Sequence, residues 1–438
     1  MAVTLSHDMP DFEARFAALA GQKRDVESNV DAAVAEIIAQ VRREGVDAIL
    51  ALTRKFDRWE ATEDTLAFSD AEIDAAVAAV PEAERAALTL AAERIRAYHA
   101  RQIPEDAEWE DGAGLTLGWR WTAVDAAGLY VPGGLASYPS SVLMNAVPAA
   151  VAGVQRLEIC VPTPDGAVNP LVLLAARLSG VSRIWRIGGA QAVAAMAYGA
   201  GPIAPVDKIT GPGNAYVASA KRQVYGHVGI DMIAGPSEIL VVADAANDPD
   251  WIAVDLMSQA EHDASAQAIL ITDDAAFGAE VGRAVERLLQ RLARAEIAGA
   301  SWAAHGAVVV ARDLDHAAGL VNRIAPEHLE LCVADPDALS LKVQHAGAIF
   351  LGRHTPEAIG DYVGGPNHVL PTAGSARFSS GLSVLDFMKR TTLAKATPAG
   401  LAAVGPAAET LAQAESLEAH ALSVRRRLDA LNAAGETT

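Results

Sequence analysis

The chain has 438 residues, too many for one ordinary core, and 51% hydrophobic with 21% charged residues describes a folded globular protein of two or more domains. A formal charge of -20 speaks against a nucleic-acid or anionic-membrane partner, because phosphate contacts need clustered Lys and Arg. Cys160 and Cys332 stand far apart in apolar runs, so they are expected to be reduced core residues of a cytoplasmic protein.

The stretch from Met1 to Pro10 has no basic segment followed by an apolar one, so no signal peptide is expected. Val30 to Phe56 and Asp70 to Arg101 carry Ala, Ile and Leu at helical spacing, and Glu105 to Trp121 reads as a hairpin-like connection. The uncharged run from Gly134 to Val154 has the length of a membrane span. Pro139, Asn145, Pro148 and several serines interrupt it, which predicts a loop followed by a buried helix. From Gly128 onward short apolar runs alternate with Ala-rich helices, the pattern of parallel sheets covered on both faces. The first series is Leu129 to Val131, Leu157 to Val161, Ile184 to Ile187 and Lys208 to Thr210. The second is Ile239 to Val242, Ala268 to Thr272, Ala307 to Val310 and Ala348 to Leu351. Two tandem α/β units fit this better than one wide sheet. Pro406 to Leu431 reads as one long amphipathic helix of the kind that packs on another subunit.

Several stretches carry groups fit for chemistry. Asp255-Leu-Met-Ser-Gln-Ala-Glu-His-Asp263 is a helical run with metal-binding groups at its end. On a helix Gln259 and His262 share a face, but spacing does not choose among Gln259, Glu261 and His262 as ligands, and a polar helix end at the surface is the plain alternative. Four glycine-rich turns are expected at corresponding ends of successive strands: Val131-Pro-Gly-Gly134, Gly188-Gly-Ala-Gln191, Gly211-Pro-Gly-Asn214 and, at the border of the first α/β unit, Gly235-Pro-Ser237. Such turns let a backbone approach a phosphate at one end of an open sheet, although none is the G-x-G-x-x-G fingerprint. Glu327 and His328 stand between Pro326 and an apolar run, at a strand entrance where an acid–base pair can face a cleft. Gly360-Asp-Tyr-Val-Gly-Gly-Pro-Asn-His368 adds Asp361 and His368 in a glycine-rich loop. Glu415 and His420 are five apart and do not stack on one helix face, so spacing alone makes them solvated.

Tyr130-Val-Pro-Gly-Gly134, Ser137-Tyr-Pro-Ser-Ser141, Gly188-Gly-Ala-Gln191, Gly211-Pro-Gly-Asn214, Gly235-Pro-Ser-Glu238, Ser258-Gln-Ala-Glu-His262, Ala325-Pro-Glu-His-Leu329 and Gly365-Pro-Asn-His368 occur in this order. Together they closely resemble histidinol dehydrogenases, zinc- and NAD-dependent enzymes of histidine biosynthesis, over the chain from about Asp25 to the terminal helix. The resemblance implies that Gln259, His262, Asp361 and His420 hold one zinc per subunit, with the substrate completing its coordination. It implies that Glu327 and His328 are the catalytic pair. Ser237, Gln259, His262, His328, Asp361, Glu415, His420 and also His368 would contact L-histidinol, and Tyr130, Gln191 and Asn214 would contact NAD. A homodimer is implied, its terminal arm carrying Glu415 and His420 into the partner's site. The expected architecture is two tandem, incomplete Rossmann-like α/β domains with an N-terminal helical segment and a C-terminal helical dimerisation arm. Residues 1–127 with 238–381 would form a discontinuous domain bearing most metal and catalytic residues, 128–237 the NAD-binding-like domain and 382–438 the arm. Leu135 departs from the family pattern, where a polar residue is more usual.

Two other readings share these residues. A relative oxidising another small alcohol keeps the metal and the Glu-His pair, although Arg377 to Asp386 and Glu415 resemble the histidinol type. A zinc hydrolase could use the same four ligands with Glu327 as base, but it has no use for the glycine turns.

Overall fold

The structure, a computed structural model, describes residues 2–22, 30–133, 138–233 and 235–434. Asp25, Gly134, Leu135 and Ser137 of the motifs above lie outside the described residues. Contacts divide the chain into two compact units, one formed by Asp125–Phe387 with the chain up to Gln102, the other by Ile103–Val124 with the chain from Met388 onward. These cuts differ from the boundaries expected after residues 127, 237 and 381: both α/β regions belong to the first unit.

The first unit opens with β1 (Val3–Ser6) and α1 (Phe12–Ala20). The two long helices expected next are each split, into α2 (Asp31–Glu44) and α3 (Val46–Asp57), then α4 (Asp70–Ala79) and α5 (Glu82–His99). Gly45, at φ +61°, separates the first pair, a left-handed conformation that glycine adopts without strain. Pro81 begins the second member of the other pair, where its missing N–H is not needed. Glu105 to Trp121 does form a hairpin, of β2 (Ala107–Glu110) and β3 (Leu115–Ala123), which belongs to the second unit.

Then the chain alternates: β4 (Ala126–Tyr130), α6 (Pro139–Ala152), β5 (Arg156–Cys160), α7 (Pro170–Ser179), β6 (Arg183–Trp185), α8 (Gly189–Tyr198), β7 (Lys208–Thr210), α9 (Ala215–Val224) and β8 (Gly229–Ile230). These strands pair in parallel in the order β6-β5-β4-β7-β8. The uncharged α6 is buried along most of its length, and no described helix is long and apolar enough to cross a membrane. Ala, Val and Met side chains from α8 pack between this sheet and α2 and α3.

A second alternation follows: β9 (Glu238–Ala243), α10 (Pro249–Ala260), β10 (Gln267–Thr272), α11 (Ala275–Leu289), α12 (Ala295–His305), β11 (Ala307–Val310), α13 (Leu314–Ile324), β12 (His328–Cys332), α14 (Pro336–Ser340), β13 (Ala348–Leu351) and the short α15 (Glu357–Ile359). Its parallel sheet runs β1-β11-β10-β9-β12-β13. The N-terminal β1, not foreseen as a strand, thus supplies an edge. One face buries Phe12, Phe16 and the apolar stripe of α13; the other buries α10, α11 and Trp302 of α12.

In the second unit, β14 (Met388–Ala396) pairs antiparallel with β3 over nine residues. The expected single terminal helix is two: α16 (Pro398–Ala414) and α17 (Glu418–Ala434). Ser416 turns the chain at φ +60°, and the Leu417 N–H closes the first helix on the Ala412 carbonyl at 2.8 Å. The helices then pack closely at Gly405, where a β-carbon would stand 3.2 Å from Leu428 and Val424. The half-buried Leu428 packs against that glycine, and Arg425 pairs with Glu409 across the two helices.

Candidate active site

Order β6-β5-β4-β7-β8 reverses its direction of winding between β4 and β7, and a ligand crevice in an open α/β sheet forms at that switch point. Tyr130 ends β4 and Gly211 follows β7, and both line a cleft of about 550 Å³. Across it lie the amino ends of β9 and β12, with Ser237, Glu327 and His328. The cleft therefore joins carboxyl ends of one sheet to amino ends of the other. Of the four glycine turns, three follow strands as expected, but Gly235-Pro-Ser237 leads into β9 and lies on the opposite wall.

Gly211 sits at φ +114°, and a β-carbon there would overlap the carbonyl oxygen of Tyr130. Its N–H donates to Asp231 Oδ2 (2.9 Å) and its carbonyl accepts from Lys221 Nζ (2.9 Å), while Lys221 and Asp231 form a buried ion pair. Asn214 caps α9, accepting from the Tyr216 and Val217 N–H groups (3.1 and 3.2 Å). The Tyr130 hydroxyl accepts from the Gly189 N–H (3.1 Å), and burial pushes it up to about 12. Tyr130 and Asn214 line the cleft; Gln191, buried in the first turn of α8, is not among its lining residues.

His328 opens β12, between Ile239 of β9 and Ala348 of β13. Its Nδ1 lies 2.9 Å from the Glu238 carbonyl. A carbonyl can only accept, so the hydrogen-bond network assigns the proton to Nδ1. Nε2 is buried without a hydrogen-bond partner among the described residues, 3.6 Å from Asp361 and 3.8 Å from Glu357. Burial opposes a charge on this ring, yet the Glu357 and Glu327 carboxylates beside it hold its pKa well above the ordinary value. Glu327 Oε2 accepts the Glu238 N–H at 2.8 Å. Burial pushes Glu327 up to about 8, against the attraction of His328.

Gln259 lies in the last turn of α10, but that helix ends at Ala260. His262 is therefore carried by the following turn, its N–H bonded to the Gln259 carbonyl (3.1 Å), and not by the shared helix face expected. Burial lowers the His262 pKa, which keeps a neutral imidazole suited to a metal. Asp361 faces the same cleft; despite burial, His328, His368 and His262 hold it below the ordinary carboxylate range. His368 Nδ1 approaches the Asp361 carbonyl (3.1 Å), and burial lowers its pKa. Thus Ser237, Gln259, His262, Glu327, His328, Asp361 and His368 meet in one cleft. Glu415 and His420 belong to the second unit, both exposed, at the break between α16 and α17.

Sequence reasoning missed Glu357. It is buried in the first turn of α15, and with His328 and Asp361 it forms a group whose potential ligand atoms lie within 4.8 Å of one another. A buried pocket holding these carboxyls, a neutral His262, the Gln259 amide and the unpartnered His328 Nε2 has the nitrogen and oxygen donors that suit a divalent cation. Glu330 was missed too, although a carboxylate inside the apolar run Leu329 to Val333 is itself a signal. Its Oε1 accepts the Glu357 N–H at 2.7 Å.

Residues 20–428 match the family model described as histidinol dehydrogenase. The chain belongs to the histidinol dehydrogenase family. It is 70% identical to the histidinol dehydrogenase of Cereibacter sphaeroides, covering 97% of this chain and 98% of that protein. It is 69% identical to that of Ruegeria pomeroyi, covering 98% and 99%. The crystal structure of histidinol dehydrogenase from Elizabethkingia anophelis superposes with a TM-score of 0.94 at 36% identity, over 98% of this chain and 99% of that one. Membership of the histidinol dehydrogenase family bears out the resemblance read from the eight motifs and leaves the hydrolase reading without support.

Proposed function

We propose that this chain oxidises L-histidinol through L-histidinaldehyde to L-histidine, with two NAD consumed and one zinc per subunit. The observation that carries the reading is the pair Glu327–His328 at the entrance of β12, facing a cleft that also holds Gln259, His262 and Asp361. When bound, NAD would take a hydride from the reacting carbon in each oxidation, and zinc would orient the substrate and balance the carboxylates around His328. Gln259, His262 and Asp361, with His420 of the arm, would hold that metal.

The His328 Nδ1–H donates a hydrogen bond to the Glu238 carbonyl, and in the neutral ring this leaves Nε2 to receive the alcohol proton as the carbon is oxidised. Glu327, held at the Glu238 N–H, takes a proton from water as it adds to the aldehyde carbon. Loss of a second hydride from that hydrate gives the carboxylic acid. Ser237, His368 and Glu415 would contact the substrate. The Gly211 turn, with Tyr130 and Asn214, offers backbone and amide groups to a dinucleotide at the switch point; Gln191 would do so from α8. The homodimer would supply Glu415 and His420 from the partner's arm. A cytoplasmic setting agrees with two buried free thiols.

The test is NADH formation with L-histidinol before and after metal is stripped and zinc restored. Loss on stripping, recovery with zinc and two NADH per histidinol support the reading. Zinc-loaded, folded protein that leaves histidinol untouched overturns it, and small amino alcohols would then be screened with NAD.

A further inference from the structure

Gln259 is an unusual metal ligand because its amide has two unlike ends. Only the oxygen has a lone pair to give, so the residue ligates in one orientation and not in the other. What holds the inner end decides which end faces the cleft. Gln259 Nε2 lies 2.9 Å from Glu357 Oε1, 3.4 Å from the Glu238 carbonyl and 3.0 Å from His328 Nδ1. The Glu238 carbonyl holds the proton on Nδ1, so the inner end is surrounded by two acceptors and one donor. With nitrogen inside, the amide bonds to Glu357 and reaches toward Glu238. With oxygen inside, it gains only His328 and confronts both acceptors. Remove Glu357, and an acceptor at 3.4 Å competes with a donor at 3.0 Å; the balance then turns toward the flipped amide.

We propose that Glu357 is a positioning residue that fixes the Gln259 amide with its oxygen toward the cleft and thereby makes Gln259 competent to ligate the metal. Glu357 is well placed for this. It is buried, follows Pro356 at the start of α15, and donates its own N–H to Glu330 Oε1 at 2.7 Å. An amide has no charge to steer it toward a cation, so a fixed acceptor behind it supplies the orientation. The inference rests on the zinc reading above.

The experiment measures zinc affinity of the metal-stripped full chain by competition with a coloured chelator, and the visible absorption of the cobalt-loaded protein, after circular dichroism has shown each variant folded. Glu357→Leu is expected to bind zinc about 10- to 100-fold more weakly, with a changed cobalt spectrum. Glu357→Gln keeps an acceptor oxygen and should bind like the unaltered chain. In a Gln259→Glu background, where the two oxygens are equivalent, Glu357→Leu should weaken binding no further. Glu357→Leu that binds like the unaltered chain overturns the proposal. So does Glu357→Gln as weak as Glu357→Leu, because charge rather than orientation would then matter. If the unaltered chain itself binds zinc no better than Gln259→Ala does, the zinc reading falls and this inference with it.

Discussion

Glu327 and His328 are adjacent, yet the chain holds them by different atoms of one residue, the N–H and the carbonyl of Glu238. That arrangement predicts separable losses. His328→Asn should lower the rate of alcohol oxidation by about two to four orders of magnitude. Glu327→Gln should mainly slow the aldehyde-to-acid step, measured with histidinaldehyde supplied directly; equal loss in both steps would contradict the division. The pH dependence has a definite sign. Burial raises Glu327 from an ordinary 4.5 to about 8, so it keeps its proton at neutral pH and its basic form grows as pH rises. The aldehyde step should therefore accelerate up to about pH 8 and level off above, and Glu327→Gln should flatten that limb. Both residues were legible in the sequence because Pro326 and the apolar run behind them mark a strand entrance. Glu357 was not. Its partners Gln259 and Glu330 are 98 and 27 residues away, and no local pattern announces a carboxylate buried by such distant contacts.

At the level of elements, the turn after β7 is the piece most tightly specified. Gly211 touches Tyr130 and is gripped on its N–H by Asp231 and on its carbonyl by Lys221. Gly211→Ala must move that turn, so thermal stability should fall and the KM for NAD should rise more than that for histidinol. An unchanged KM for NAD would detach the turn from the cofactor. The turn before α4 gives a stability test by pH. The Ser69 backbone N–H and Arg186 hold Glu72 at about 2, below its ordinary 4.5. A depressed folded value means stability that is present above pH 4.5 and lost as pH falls toward 2. The melting deficit of Glu72→Gln should accordingly shrink across that interval. Most strands of the two parallel sheets were legible to within a residue or two, because buried parallel strands are continuous apolar runs bounded by Gly and Pro; β4 begins at Ala126 and not at the expected Leu129, and β1 and β8 were not foreseen. Helix breaks at Gly45 and Ser416 were less so: the apolar spacing continues across both, and only packing such as Gly405 against Leu428 shows where the chain turns back.

At the scale of the whole molecule, the reading makes each active site the joint product of two subunits, with His328 from one chain and His420 from the other. Glu415 and His420 are exposed at the turn between α16 and α17, and a shared site would give them a role. The sharing is open to complementation. Take His328→Asn and His420→Asn, each inactive as a pure dimer, then dissociate and reassociate an equal mixture. In a mixed dimer with shared sites, one site collects both substitutions and the other collects neither. Random pairing in a twofold assembly makes half the dimers mixed, so about a quarter of the unaltered activity should return. If every site were built within one chain, each site in the mixture would still carry one substitution and no activity would return. Recovery that rises toward a quarter as subunits exchange would establish the shared site, and its absence in a mixture shown to exchange would confine Glu415 and His420 to their own subunit.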